Sequence, residues 1–313
     1  MIKIDNKGFF ADVKRWEKMY FFSLNAKSIS NGTIKLYERT LRDFYLFIDE
    51  FYPDCKLSDI NKHIMTHWVN YLLNEIELKK STIKTKITII KSFFLYITEE
   101  NEDQIDFTEN FKRIAIKATI TEKVGYLSTD ITKILNSLER SKNINNKKEI
   151  NPNIKSFYFK LIYYTGIRVS ELLNIKLVDI VFKDSEDDTL KYLSIKILGK
   201  GNKERIVYIS YCNISDEYEY IKKYREYDQY ICLTKNNKQY GRKELHSMFE
   251  SIFKKAGVRF KGLHELRHTF ARNLVSKNIN LKTIQELLGH SDIQTTAKIY
   301  ANTNESNKMA AIL

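Results

Sequence analysis

Apolar residues in the first hundred positions recur every three or four places, and that spacing commits this part of the chain to helices. From Thr33, the residues Ile34, Tyr37, Leu41, Phe44, Ile48 and Phe51 share one face, and Pro53 closes the run. Ser58 is placed to cap a second helix through Trp68 and Leu72. In a third, Ile83, Ile87, Ile90, Phe94 and Ile97 form the buried stripe. Lys79, Lys80, Lys84, Lys86 and Lys91 lie off that stripe. A basic outer face of this kind suits DNA phosphates, although an ordinary solvated lysine face has the same pattern. Phe9 to Leu24 has helical spacing too, and the segments together predict a bundle.

The pattern changes over 101–127, where NEDQIDFTEN is acidic and KATITEK has few core residues. The expected organisation is a helical domain over 1–116, a linker over 117–127 and a second domain over 128–313. A helix starts at Ser128, with Asp130 in its positive first turn. FYFKLIYYT reads as a buried helix stopped by Gly166, and VSELLNIKL begins the next. Leu193, Ile195 and Ile197 then alternate with Tyr192, Ser194 and Lys196, the period of a strand. GKGNK supplies turn residues and ERIVYIS returns as the partner strand. Helices follow at 243–256, 264–277, 281–288 and 292–300. The fold class is mainly α with a small antiparallel β-sheet.

With 313 residues the chain can build two modest cores, and 20 Tyr and 18 Phe supply the material. Its net charge of +13 favours a polyanionic partner. Residues 1–116 hold 18 Lys and Arg against 17 Asp and Glu, so nearly all the excess belongs to the C-terminal part. Cys55, Cys212 and Cys232 form no CxxC and fit a reducing cytosol better than a disulfide framework. No apolar run approaches the ~18 residues that span a bilayer. Nor does the N-terminus read as a signal peptide, so a soluble cytoplasmic protein is expected.

The C-terminal charge is organised. TGIRVSEL carries Arg168, ILGKGNKERIV carries Lys200, HELRH carries His264 and Arg267, and LGH carries His290. Tyr300 follows in TTAKIY. Two arginines, a lysine and two histidines can hold a phosphodiester, and a tyrosine can attack it. Arginine suits the task because its planar fork donates two parallel hydrogen bonds and stays charged. His264 and Arg267 are three apart, hence on one helix face. An ammonium such as that of Lys200 can protonate a leaving oxygen, and Lys203 is a second candidate that spacing does not exclude. GKGNK lacks the spacing of a P-loop. His63 and His67 are four apart but have no further ligand nearby in sequence, so no metal site is assigned. His268 is expected to point off the clamp face and to pack or cap.

This series resembles the tyrosine recombinase (phage integrase) family, and GKGNKER before a hydrophobic strand is most similar to its Xer branch. The likeness is specific over 166–313 and architectural over 1–116. It implies a helical core-binding (SAM-like) domain and a catalytic domain closing as a C-clamp on duplex DNA. It singles out Tyr300 as nucleophile among 20 tyrosines. His264 is assigned to assist proton transfer, Lys200 to act as general acid, and Glu171 to orient the clamp. No metal or cofactor is implied. The partners implied are a specific DNA site and a homotetramer or mixed tetramer on two such sites, with a DNA translocase as a conceivable activator. Strands would be cut through a 3′-phosphotyrosine link, for resolution of chromosome or plasmid dimers. ANTN follows Tyr300 where Xer relatives commonly carry a Thr-His pair. A mobile-element integrase would use the same residues. A topoisomerase would relax supercoils without a specific site, and a non-catalytic DNA-binding protein would form no covalent adduct.

Overall fold

A computed structural model describes residues 3–4, 8–27, 29–112, 114, 116, 125–142, 150–185, 189–199, 203–234 and 236–289. The anticipated helix at 292–300 and three site candidates, Lys200, His290 and Tyr300, lie outside the described residues. The chain divides into two compact units, Met1–Thr121 and Glu122–Leu313.

The first unit is built from α1 (Phe9–Ala26), α2 (Asn31–Phe51), α3 (Lys62–Asn74) and α4 (Lys80–Glu100). The stripes read from sequence are the buried ones: Leu41, Phe44 and Ile48 on α2, and Ile83, Ile87, Ile90, Phe94 and Ile97 on α4. They meet around Trp68, whose ring lies edge-on to Phe44 with centroids 5.0 Å apart. Large aromatic side chains dominate such a core because each removes so much apolar surface from water. Two details differ from expectation. Ser58 lies in a short 3₁₀ turn, and Asn61 caps α3 instead, its Oδ1 accepting from the amides of His63 and Ile64. Lys86 leaves the basic face assigned to it: its ammonium pairs with Asp43 of α2 and is 12 % exposed. Lys79, Lys80, Lys84 and Lys91 remain exposed. His67 hydrogen-bonds Tyr52 through Nδ1 at 2.9 Å and packs edge-on to Phe47 and Phe51.

In the second unit, α5 (Ser128–Lys142) leads to α6 (Pro152–Thr165) and the short α7 (Val169–Asn174). Next come β1 (Ile180–Asp184), β2 (Lys191–Leu198), β3 (Glu204–Ser210) and α8 (Ser215–Tyr224). The described part ends with α9 (Arg242–Lys255), α10 (Leu263–Ser276) and α11 (Leu281–Leu288). Helix α6 is the core element, with Phe157, Tyr158, Phe159, Leu161 and Ile162 buried between α5, α8, α9 and α10. The sheet is antiparallel in the order β1-β2-β3, with Ile195 paired to Ile180 on one side and Val207 on the other. The predicted hairpin is thus present, and β1 extends it. Helix α8 was not foreseen either. Its inward face carries Glu217, which is 1 % exposed and takes hydrogen bonds from Ser156 and Lys160 at 2.8 and 2.7 Å. Lys142 also pairs with it at 2.6 Å.

Gly125 and Tyr126, read as linker from sequence, are fastened to α10. The Gly125 amide donates to Glu265 Oε2 at 3.2 Å and the Tyr126 amide to Thr269 Oγ1 at 2.8 Å. Among the described residues no helix is long and apolar enough to cross a membrane.

Gly166 ends α6 as the sequence suggested, at φ 65°, in the left-handed region that glycine enters without steric cost. A Cβ there would stand 2.3 Å from Phe270 Cδ1 and 3.0 Å from Leu288 Cδ2. Gly166→Ala therefore combines backbone strain with overpacking. A stability loss of roughly 2–5 kcal/mol is expected in urea unfolding. An unchanged unfolding midpoint would contradict this packing.

Candidate active site

Three arginines meet at the C-terminal end of α11. Arg168 stands at the N-cap of α7, just past the Gly166 turn. Its Nη2 donates to the Gly289 carbonyl at 3.1 Å and its Nη1 to Glu171 Oε1 at 2.8 Å. Arg267, on α10, is 3 % exposed. It donates through Nη1 to the Gly166 carbonyl at 2.7 Å and through Nη2 to the Leu288 carbonyl. Carbonyls at a helix C-terminus lack partners within the helix and carry the negative end of its dipole, so they suit guanidinium donors.

The third arginine is Arg205 on β3, which the sequence reading passed over. Its Nε donates to the Leu287 carbonyl at 2.9 Å, and its two terminal nitrogens reach both oxygens of Glu171 at 2.9 and 2.8 Å. A signal was present. Arg205 has the same strand parity as Val207 and Ile209, both buried, so alternation points it inward. An inward arginine needs an acid.

Glu171 is that acid, 4 % exposed and holding four hydrogen bonds, the fourth from the Arg168 amide to Oε2 at 2.7 Å. Burial by itself would raise its carboxyl. The hydrogen bonds from Arg205, then those from Arg168, outweigh burial and hold it down at about 2. Glu171 is thus a carboxylate at any ordinary pH. Three guanidinia still face one carboxylate. Burial, and then the charge of Arg168, push the Arg267 guanidinium down to about 9. Burial is the larger cause, and three guanidinia grouped about one carboxylate form a setting in which a phosphate is favoured.

Beside this cluster lies a cleft of about 490 Å³ lined by Arg168, His264 and Arg267 on one side. Arg242 and His246, one turn apart on α9, line the other. Neither was singled out from sequence, although their i,i+4 spacing puts them on one helix face. His264 is exposed, and its ring packs edge-on against His268 with centroids 4.7 Å apart. His268 thus packs, and the ring it packs against is that of a clamp candidate. The hairpin turn is closed by the Gly199 amide donating to the Lys203 carbonyl at 2.8 Å. The structure thus brings together Arg168, Glu171, His264 and Arg267. Lys200, His290 and Tyr300 lie outside the described residues.

With this geometry, residues 127–307 match the profile of the Phage integrase family, and residues 18–101 match its N-terminal SAM-like domain. The chain belongs to the phage integrase family of tyrosine recombinases. A tyrosine recombinase XerD of Rickettsia bellii is 31 % identical over 93 % of this chain and 94 % of its own length. A tyrosine recombinase XerC of Staphylococcus epidermidis is 28 % identical over 89 % of both chains. Among solved folds, a XerH recombinase bound to a palindromic difH substrate superimposes with a TM-score of 0.73 at 21 % identity. That match covers 92 % of this chain and 81 % of XerH. A lambda integrase tetramer on a Holliday junction gives 0.66 at 19 % identity, covering 90 % and 77 %. As a member of this family the protein is a site-specific DNA recombinase of the Xer-like kind, an enzyme that cuts and rejoins DNA strands.

Proposed function

We propose that the Arg168–Arg267–His264 cleft receives the scissile phosphate of a specific duplex and that Tyr300 is the nucleophile. The observation carrying this reading is the surplus of buried positive charge around Glu171, which opens onto a cleft able to accept an anion. Tyr300 Oη forms a bond to phosphorus as the bond from phosphorus to the 5′-oxygen breaks. The phenolic proton leaves with the help of His264, and Lys200 gives a proton to the departing 5′-oxygen. His290 adds a donor to a non-bridging oxygen. The product is a 3′-phosphotyrosyl strand and a free 5′-hydroxyl. The phosphodiester bond energy is retained, and reversal by another strand's 5′-hydroxyl completes the exchange.

Two sites are brought together by four protomers, either of one kind or with a second recombinase. Likeness to both XerD and XerC supports resolution of chromosome or plasmid dimers as the role. The test is to sequence the DNA that the pure protein protects, and then to offer that site as a duplex nicked near the cut position. A detergent-stable adduct with a free 5′-hydroxyl is the expected result. Protection without any adduct would instead indicate a DNA-binding protein without catalysis.

Binding to the protected site should weaken steeply with salt, because each phosphate neutralised releases counterions and contributes about −0.9 to the logarithmic slope. Arg242→Gln should reduce that slope by about one. Replacing the exposed Lys80, Lys84 and Lys91 with Gln together should reduce it further. An unchanged slope in the folded triple variant would return α4 to an ordinary solvated face.

A further inference from the structure

Arg205 occupies a slot that Gly289 leaves open and that Gly199 borders. A Cβ on Gly289 would stand 3.0 Å from Arg205 Nη1 and 3.1 Å from its Cδ. On the hairpin side, a Cβ on Gly199 would stand 3.6 Å from the same Nη1 and 3.8 Å from Glu171 Oε1. Gly199 immediately precedes Lys200 in the chain, and Gly289 immediately precedes His290. The guanidinium also grips Glu171 by both oxygens, and Glu171 in turn holds the amide and side chain of Arg168. Arg205 is only 12 % exposed, and its Nε and both terminal nitrogens are taken up by the Leu287 carbonyl and Glu171. It is therefore not aimed at DNA.

We infer that Arg205 is a positioning residue, fixing Arg168 through Glu171 and the backbone at Gly199 and Gly289, the residues that precede Lys200 and His290 in the chain. The inference rests on the recombinase reading above and deepens it. From the strand hairpin, one rigid fork reaches both the α7 N-terminal turn and the α11 C-terminus. Its second effect is on charge. Glu171 shared between two arginines does not neutralise Arg168. With Arg205 gone, the carboxylate would pair with Arg168 alone and draw its fork off the phosphate. A lysine at 205 would keep the charge but reach only one of these partners at a time.

The test compares wild type, Arg205→Lys and Arg205→Met on the nicked duplex, with binding of the uncut site and thermal unfolding measured alongside. Cleavage should fall about 100-fold or more in Arg205→Met and less in Arg205→Lys, with binding within about threefold of wild type. A duplex with sulfur bridging at the 5′-position separates the routes, because a thiolate leaves without protonation. Sulfur should restore Lys200→Ala almost fully and Arg205→Met only in part, since the clamp defect persists. If Arg205→Met cleaves within threefold of wild type, the inference is overturned. The same holds if lost cleavage only follows lost binding or lost folded protein, with no sulfur rescue, because that marks a purely structural arginine. Should Arg205→Met not fold, full activity in Arg205→Lys overturns the inference and a cleavage-only defect supports it. Absence of adduct from wild type would overturn the recombinase mechanism and this inference together.

Discussion

Tyr300→Phe should form no adduct on the nicked duplex, a loss of at least about 10⁴-fold, while binding the site with unchanged affinity. The substitution removes one hydroxyl and no phosphate-holding charge. A phenol with an ordinary pKa of about 10 is mostly protonated at neutral pH, so its attack depends on its surroundings. The three guanidinia around Glu171 provide an excess of positive charge that favours a phenolate brought to the phosphate. The measurement is gel retention of labelled strand after detergent. An adduct surviving in the variant, mapped by peptide sequencing, would move the nucleophile to another of the 20 tyrosines.

Arg168→Lys should be nearly as damaging despite keeping its charge. Arg168 already commits Nη1 to Glu171 and Nη2 to the Gly289 carbonyl, while its side chain remains 33 % exposed toward the cleft. A planar fork can hold those anchors and still present an N–H edge to a phosphate oxygen. An ammonium forced to choose would settle on Glu171. Loss of one preorganised donor in a transition state typically costs about 10²–10³-fold, or about 2.7–4 kcal/mol. Single-turnover cleavage at saturating protein is the measurement. A rate near wild type would remove Arg168 from the phosphate-holding set.

The sequence was most legible where burial repeats with a clean period. The stripes of α2 and α4 and the alternation of β2 each describe a face that the structure buries. It was less legible where a polar group does an apolar residue's work. Helix α8 turns Glu217 inward against two lysines and a serine, so its stripe is broken in the string SDEYEYIKKY. Strand β1 buries only Ile180, which leaves no alternation to detect. Capping by Asn61 in place of Ser58 shows two capable residues three positions apart, with the one nearer the apolar run taking the cap. At the site, motifs led to Arg168, Glu171, His264 and Arg267. Arg205 closes the string GKGNKER, but its role needed the fold, because its partners are 34 and 82 residues away.

The fastening of Gly125 and Tyr126 has a mechanical meaning. They are the first described residues of the second unit, and both are tied to α10. Their amides bond Glu265 and Thr269, which flank Arg267 on α10, and Glu265 directly follows His264. A displacement of this backbone would therefore act on the helix that carries two of the proposed phosphate-holding residues.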